Sequence, residues 1–350
     1  MVGDADVLIA GAGLVGRLCA WRHARGGRRV RLFDAARRDD ARSASAVAAA
    51  MLSPLAEQAV ADAAVLALAQ RAMALWPQWL RELRADAGRE VWFRQAGTLV
   101  LAHPADAGSL DHFERVLRHK LPADQLAAVQ ALDAAGVARH EPALAGRFAR
   151  GLLLEGEGQL ANDELLAALA RALDRLRVHW HEDEPVISLG SGGLRTAQGE
   201  YAAPQVIDAR GIGARADWPG LRGVRGEVMR VECPGVTLQR PVRLMHPRYQ
   251  LYVAPRPGQR FVVGATELES EDTGPASLRS VLELGSALYS LHPGFAEARV
   301  LDIAAALRPA LDDHRPALRR QAGVWQLNGL YRHGYLCAPA LVDQLVQETA

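Results

Sequence analysis

The chain has 350 residues, 49% of them hydrophobic and 23% charged, which suits two intimately joined domains of a soluble globular protein. Its 41 basic and 40 acidic residues give no electrostatic argument for nucleic acid, and no apolar run approaches the ~20 residues of a membrane span. A single lysine, Lys120, in a polar helical stretch leaves neither a Schiff-base site nor a P-loop, and three cysteines (Cys19, Cys233, Cys337) without CxxC spacing read as reduced cytoplasmic thiols.

The acidic start, Met1 to Asp6, leads straight into a strand and is not a signal peptide. Val7-Leu8-Ile9-Ala10 is an apolar run of the buried parallel-strand type. The turn Gly11-Ala12-Gly13-Leu14-Val15-Gly16 follows, then a helix from Leu14 to Arg25 that Gly26-Gly27 stops. Arg29 to Phe33 is the second strand and ends at Asp34. Ser43 to Pro54 is a segment of small residues. Two helical stretches then flank a strand at Thr98 to Leu101. Gly151 to Leu154 and a helix from Asp163 to Leu176 come next, and Gln205 to Gly213 reads as a strand returning to the first sheet. From Gly226 to Thr266 the pattern turns strand-rich: Glu227–Val231, Tyr249–Ala254 and Phe261–Ala265. A helix over Leu278 to Ser290, a strand over Val300 to Leu307 and a helix over Ala340 to Val346 close the series. His179-Trp180-His181 reads as a solvated strand, because no third metal ligand accompanies the two imidazoles.

The glycine turn lies between a strand and a helix, the context a dinucleotide site requires. Gly11 permits the tight turn, Gly13 lets backbone approach a pyrophosphate, and Gly16 allows close helix–strand packing. Asp34, 23 residues beyond Gly11, can accept ribose hydroxyls and would repel a 2′-phosphate. An NAD domain is normally one contiguous block. The return strand to Gly211 and the C-terminal glycines around Gly329 and Gly334 therefore favour FAD, held by both ends of the chain.

The order of Ala48-Ala49-Ala50-Met51-Leu52, Gln95-Ala96-Gly97-Thr98-Leu99, Arg225-Gly226-Glu227, Val253-Ala254-Pro255-Arg256, Val263-Gly264-Ala265-Thr266, Leu307-Arg308-Pro309 and Gly329-Leu330-Tyr331-Arg332-His333-Gly334 resembles the glycine oxidases of thiamine biosynthesis. These belong with the D-amino-acid and sarcosine oxidases, and the likeness spans nearly the whole chain. It implies an α/β fold with an α+β substrate part: a Rossmann-like FAD domain (1–82, 140–222 and 300–350) interleaved with a smaller substrate domain on an antiparallel sheet (83–139 and 223–299). It implies oxidation of an amine next to a carboxylate, with O2 as acceptor and a homo-oligomeric enzyme. A dehydrogenase passing electrons to another acceptor stays open.

Arg308 ends an apolar strand, where a half-buried guanidinium needs an anion and its fork matches a carboxylate. The resemblance makes Arg308 the substrate-carboxylate anchor; an internal pair with Asp312 or Asp313 is the other reading. Tyr252 alternates with Leu251 and Val253, so its ring faces opposite to both. By resemblance Tyr252 turns toward the substrate, Arg332 is a second active-site arginine, and Met51 lies against the flavin. The resemblance further implies FAD contacts from Gly11, Gly13, Leu14, Val15, Gly16, Asp34, Ser45, Ala49, Ala50, Met51, Gly211, Arg308, His333, Gly334, Tyr335 and Leu336. Alanines stand at 48–50 where some relatives carry glycine. Cys337 is not placed where sarcosine oxidases attach flavin, so the FAD is expected to be non-covalent. A flavin hydroxylase is disfavoured because Gln326-Leu327-Asn328-Gly329 lacks that class's Gly-Asp pair. A non-catalytic nucleotide-binding protein would leave Arg308, Tyr252 and Arg332 dispersed.

Overall fold

Alternating side chains at the start of the chain dictate what covers the first sheet. In the computed structural model, which describes residues 5–246 and 251–349, Val7 and Ile9 point into a helical core while Leu8 points the other way. Val7–Ala10 is central in a six-stranded sheet ordered Ala317–Gln321, Val324–Asn328, Gln205–Asp208, Val7–Ala10, Val30–Phe33, His179–His181. All neighbours are parallel except the hairpin formed by the first two. Such a sheet is buried on both faces. One face carries the helices Leu14–Arg25, Ala63–Ala87, Asn162–Arg175 and Gly334–Glu348, which bury Leu18, Trp21, Trp76, Trp79, Leu169 and Leu341. The other meets a three-stranded meander (Ser188–Gly190, Gly193–Arg195, Glu200–Ala202) through Leu8, Phe33, Val206 and Leu194.

The expected helix–strand intimacy at the glycine turn is present. A methyl on Gly16 would lie 1.7 Å from the Gly11 carbonyl oxygen, and one on Gly11 would lie 2.4 Å from that of Ala209. Gly11 has φ +95°, a conformation open to glycine.

The second sheet has eight strands, ordered Arg299–Ala310, Arg222–Glu232, Arg260–Gly264, Leu251–Arg256, Val242–Met245, Thr98–Ala102, Arg150–Leu154, Val129–Asp133. It is antiparallel except where Val242–Met245 runs parallel to Thr98–Ala102. One face buries Met229, Val231, Val253 and Val263 against Leu284 and Leu288 of the helix Leu278–Leu291. The opposite face carries Val228, Tyr252, Ala254, Ala304 and Ala306 and packs on Val47, Ala49 and Met51. The site forms there.

Two expectations need correction. Residues 299–310 and 150–154 belong to the eight-stranded sheet, although the sequence reading grouped 300–350 and 140–222 with the FAD-binding segments. An apolar run such as Ile303–Leu307 does not say which sheet it joins; the antiparallel ladder from Arg222↔Ala310 to Glu232↔Arg299 decides it. Pro309 is tolerated because this strand is at the sheet edge. The last helix begins at Gly334, six residues before the expected start at Ala340. Pro339 cannot donate to the Tyr335 carbonyl, and the Trp76 indole N–H does so instead at 3.0 Å. The strand expected from Tyr249 is seen from Leu251 to Arg256; its first two expected residues lie outside the described ones.

Gly16→Ala should cost about 1–3 kcal/mol, the range for forced overpacking. Gly285→Ala, with open space around it in a helix interior, should leave stability unchanged or raise it slightly. Thermal melts of both variants check this; equal midpoints would contradict the assigned packing.

Candidate active site

Two of the expected site side chains are seated over glycines. Arg308 shares the sheet face of Ala304 and Ala306, and its guanidinium lies over Gly226 of the adjacent strand. A methyl on Gly226 would come within 2.2 Å of Arg308 Nη2. Tyr252 lies likewise over Gly264, where a methyl would be 2.9 Å from the phenolic oxygen. Glycine inside a strand weakens it, and here it leaves room for a large polar group from the next strand. Arg308 Nη1 donates to the Thr266 carbonyl at 3.1 Å. Among the described residues no carboxylate lies within ion-pair distance of Arg308, so the pairing with Asp312 or Asp313 does not form. Burial pushes the Tyr252 phenol above its ordinary value near 10, despite Arg308, Arg243 and Arg332 pulling it down.

These groups open into a cavity of ≈ 850 Å³ that runs between the two sheets. Gly11, Gly13, Leu14, Val15, Asp34, Ser45, Ala49, Ala50, Met51 and Gly211 line it, and so do Tyr252, Arg308, Arg332, Gly334, Tyr335 and Leu336. The structure thus brings Arg308, Tyr252 and Arg332 to one cavity that also reaches the glycine turn. Gly16 and His333 do not line it. Gly16 is consumed by helix packing. His333 faces Glu57, with Nδ1 3.6 Å from its carboxylate, and borders a neighbouring cavity.

The nucleotide end fits a dinucleotide. Gly13 is the N-cap of Leu14–Arg25 with no side-chain cap, so the first N–H groups of that helix remain for an anion. The Asp34 carboxylate accepts from the Ala12 and Ala36 amides and lines the cavity. Asn328 Nδ2 donates to the Gly211 carbonyl at 2.9 Å and joins the middle and C-terminal contributions.

The alanine-rich loop is fixed from outside itself. Asn162 Nδ2 donates to the Ala46 carbonyl at 2.7 Å, the Tyr335 hydroxyl to that of Ser45 at 2.8 Å, and Arg230 Nη2 to that of Ala46 at 2.7 Å. Arg256 donates to the Ala49 carbonyl and, at 2.6 Å, to Gln159. Burial lowers the Arg256 guanidinium to about 10. Sequence reasoning missed Asn162, Arg230 and Arg256, and it missed Glu57 and Arg243. Glu57 is buried and bonds Arg243 on one oxygen; its other lies 2.9 Å from Arg332 Nε. Burial raises the Glu57 pKa, but Arg332, Arg243 and His333 outweigh that and bring it to about 2. Arg332 also pairs with Glu267 at 3.1 Å. Cys337 is buried in the helical core, and burial pushes its thiol up to about 12, as suits a packing residue.

A family profile described as FAD dependent oxidoreductase matches residues 6–347. The chain belongs to this FAD-dependent oxidoreductase family. It is similar to the thiamine biosynthesis oxidoreductase ThiO of Rhizobium etli, at 38% identity over 97% of this chain and 95% of that protein. It is 28% identical to the glycine oxidase of Geobacillus kaustophilus over 99% and 94% of the two chains. The crystal structure of glycine oxidase from that organism superposes with a TM-score of 0.84, covering 98% and 94%. The family's cofactor is FAD, and the cavity runs from the glycine turn, which suits a dinucleotide, to Arg308 and Tyr252. No helix among the described residues is long and apolar enough to cross a membrane.

Two variants test this geometry. Gly226→Ala should displace Arg308 and lower kcat/KM on the best amine by roughly 100-fold, the scale of a 1 Å misplacement, while FAD content holds. Arg256→Met removes a charge-assisted bond to the loop, worth about 1.5–3 kcal/mol. FAD titration of its apoprotein should show correspondingly weaker binding. Wild-type FAD affinity would mean that the loop holds its shape without Arg256.

Proposed function

We propose that this enzyme oxidises glycine and other small primary or secondary amines that carry a neighbouring carboxylate. The imine formed from glycine is passed on for construction of the thiamine thiazole or hydrolyses to the 2-oxo acid and ammonia (a secondary amine releases the alkylamine instead), and O2 is reduced to H2O2. One observation carries the reading: Arg308, without a carboxylate partner among the described residues, shares with Tyr252 the cavity that begins at the glycine turn. The similarity to ThiO and to glycine oxidases supports it.

FAD, when bound along Gly11, Gly13, Asp34 and the 43–51 loop, supplies the two-electron oxidation. The protein's part is orientation and exclusion of water. Arg308 takes both carboxylate oxygens in its fork. The raised pKa keeps Tyr252 protonated, so its hydroxyl can donate to the same carboxylate. Met51, Ala49 and Ala50 narrow the space beside the reacting carbon. The lone pair of the neutral substrate amine drives hydride departure, so no side-chain base is needed. Arg332, held by Glu57 and Glu267, forms part of the charged wall. The same reading places the enzyme in the cytoplasm as a homo-oligomer; Leu278, Leu282 and Tyr289, exposed on one helix, support association.

Purified protein should be yellow, release FAD on acid precipitation and generate peroxide with glycine, sarcosine or N-ethylglycine. Reduction by these amines without peroxide would transfer the activity to a dehydrogenase. Arg308→Lys should lose at least about ten-fold in kcat/KM, because a point charge cannot hold both oxygens. Near wild-type efficiency with FAD retained would place the anchor elsewhere, with Arg332 next in line.

In anaerobic stopped-flow, flavin reduction should accelerate as pH rises toward the amine pKa. The raised Tyr252 pKa means that its proton stays on below pH ~10, so no protein group should add a second limb there. A descending limb between neutral pH and pH ~9 would show a required protein acid instead. Glycine should also outrun D-phenylalanine.

A further inference from the structure

Around the substrate end, cations and carboxylates are unequally matched. Arg308, Arg332 and Arg243 line the cavity, and so do Glu57 and Glu267. Arg243 is the cross-strand partner of Tyr252 and so presents its side chain to the same face. Glu57, on the short helix Pro54–Gln58, reaches between Arg243 and Arg332. Its Oε2 makes the 2.9 Å ion pair with Arg332 at an angle short of a hydrogen bond, and Arg243 Nε has no partner. Both arginines therefore retain donors that an anion could use. His333 is the remaining basic group against Glu57, and burial lowers its pKa although Glu57 opposes the shift. Two of the three guanidinium groups are thus matched inside the protein, by Glu57 and Glu267, and among the described residues Arg308 has no carboxylate partner. Glu283 adds a carboxylate at the cavity margin.

We propose that Glu57 is a specificity-determining residue: its negative charge, shared between Arg243 and Arg332 and joined by that of Glu267 on Arg332, offsets those two guanidinium groups and leaves Arg308 the unmatched one among the described residues, so the pocket takes amines bearing a single carboxylate and rejects dicarboxylates. A second substrate carboxylate placed on Arg332 or Arg243 would share their charge with Glu57 in a buried setting, where like charges repel strongly. Glu267, whose side chain is 50% exposed, guards the outer side of Arg332 in the same way but more weakly, because water screens it. The inference rests on the amino-acid oxidase reading.

The test measures binding to the FAD-loaded enzyme by shifts in its visible spectrum. Methoxyacetate and diglycolate differ by one carboxylate, and an ether oxygen replaces the amine in both, so neither is oxidised. Wild type should bind methoxyacetate at least about ten-fold more tightly. In Glu57→Gln the preference should collapse by about ten-fold or more, through gain of diglycolate, since a charged partner of both arginines has gone. Glu267→Gln, at a half-exposed position that tolerates substitution, should move it the same way by less, and it carries the test should Glu57→Gln not fold. Equal wild-type affinities, or an unchanged preference in both variants, would overturn the assignment. Reduction by glycine is measured alongside. If glycine bleaches the flavin while the preference stays fixed, this inference alone falls. If glycine leaves the flavin oxidised and neither acid shifts its spectrum, the amino-acid oxidase reading falls and takes this inference with it.

Discussion

A guanidinium can project from a packed sheet into a cavity only where a neighbouring strand gives up its own side chain. Gly226 does this for Arg308, and Gly264 does it for Tyr252. The rest of the site follows from that constraint. The two glycines lie on neighbouring strands and open adjacent seats on one face. Placing the pair at the same depth then requires the register in which Arg222↔Ala310 and Tyr252↔Gly264 are fixed. Side-chain parity sends Leu251 and Val253 into the opposite core, so sheet stability and substrate recognition use different faces of the same residues.

The nucleotide half is governed by backbone carbonyls. The loop of small residues has little side-chain surface with which to hold a shape, and its carbonyl groups would otherwise need water. Asn162, Tyr335, Arg230 and Arg256 satisfy them from four separate elements. Alanine rather than glycine at 48–50 fits this arrangement: the loop is constrained by its partners, and Ala50 tolerates φ 49° within it. The arginines that do this come from the substrate sheet, so the FAD-facing loop and the substrate wall are one mechanical unit.

Much of this was legible in the sequence. The glycine turn, Asp34 and the return strand to Gly211 are local patterns whose spacing carries their meaning, and the alternation around Tyr252 gave its face correctly. Arg308 could be recognised as a cation at the end of an apolar strand. Its sheet could not, because pairing between residues 222–232 and 299–310 leaves no periodic trace in either segment. Glu57 and Arg243 were illegible for a related reason: they are 186 positions apart, and each alone resembles an ordinary surface charge. The early start of the last helix was hidden because Pro339 normally argues against helix, and the compensating donor, Trp76, lies 259 positions from the carbonyl it serves. In-strand glycines at 226 and 264 were the available signal for the two seats.

The helix Gly334–Glu348 packs on Leu14–Arg25 and Ala63–Ala87, while Gly334, Tyr335 and Leu336 line the cavity. Every chain leaving a ribosome therefore makes its glycine turn more than three hundred residues before the wall that closes over it. Until that helix docks, the apolar surface that the two earlier helices turn toward Leu336, Leu341, Val342 and Leu345 stays uncovered. The cofactor cavity is therefore complete only once these two distant segments have met, and tight flavin binding is tied to that docking.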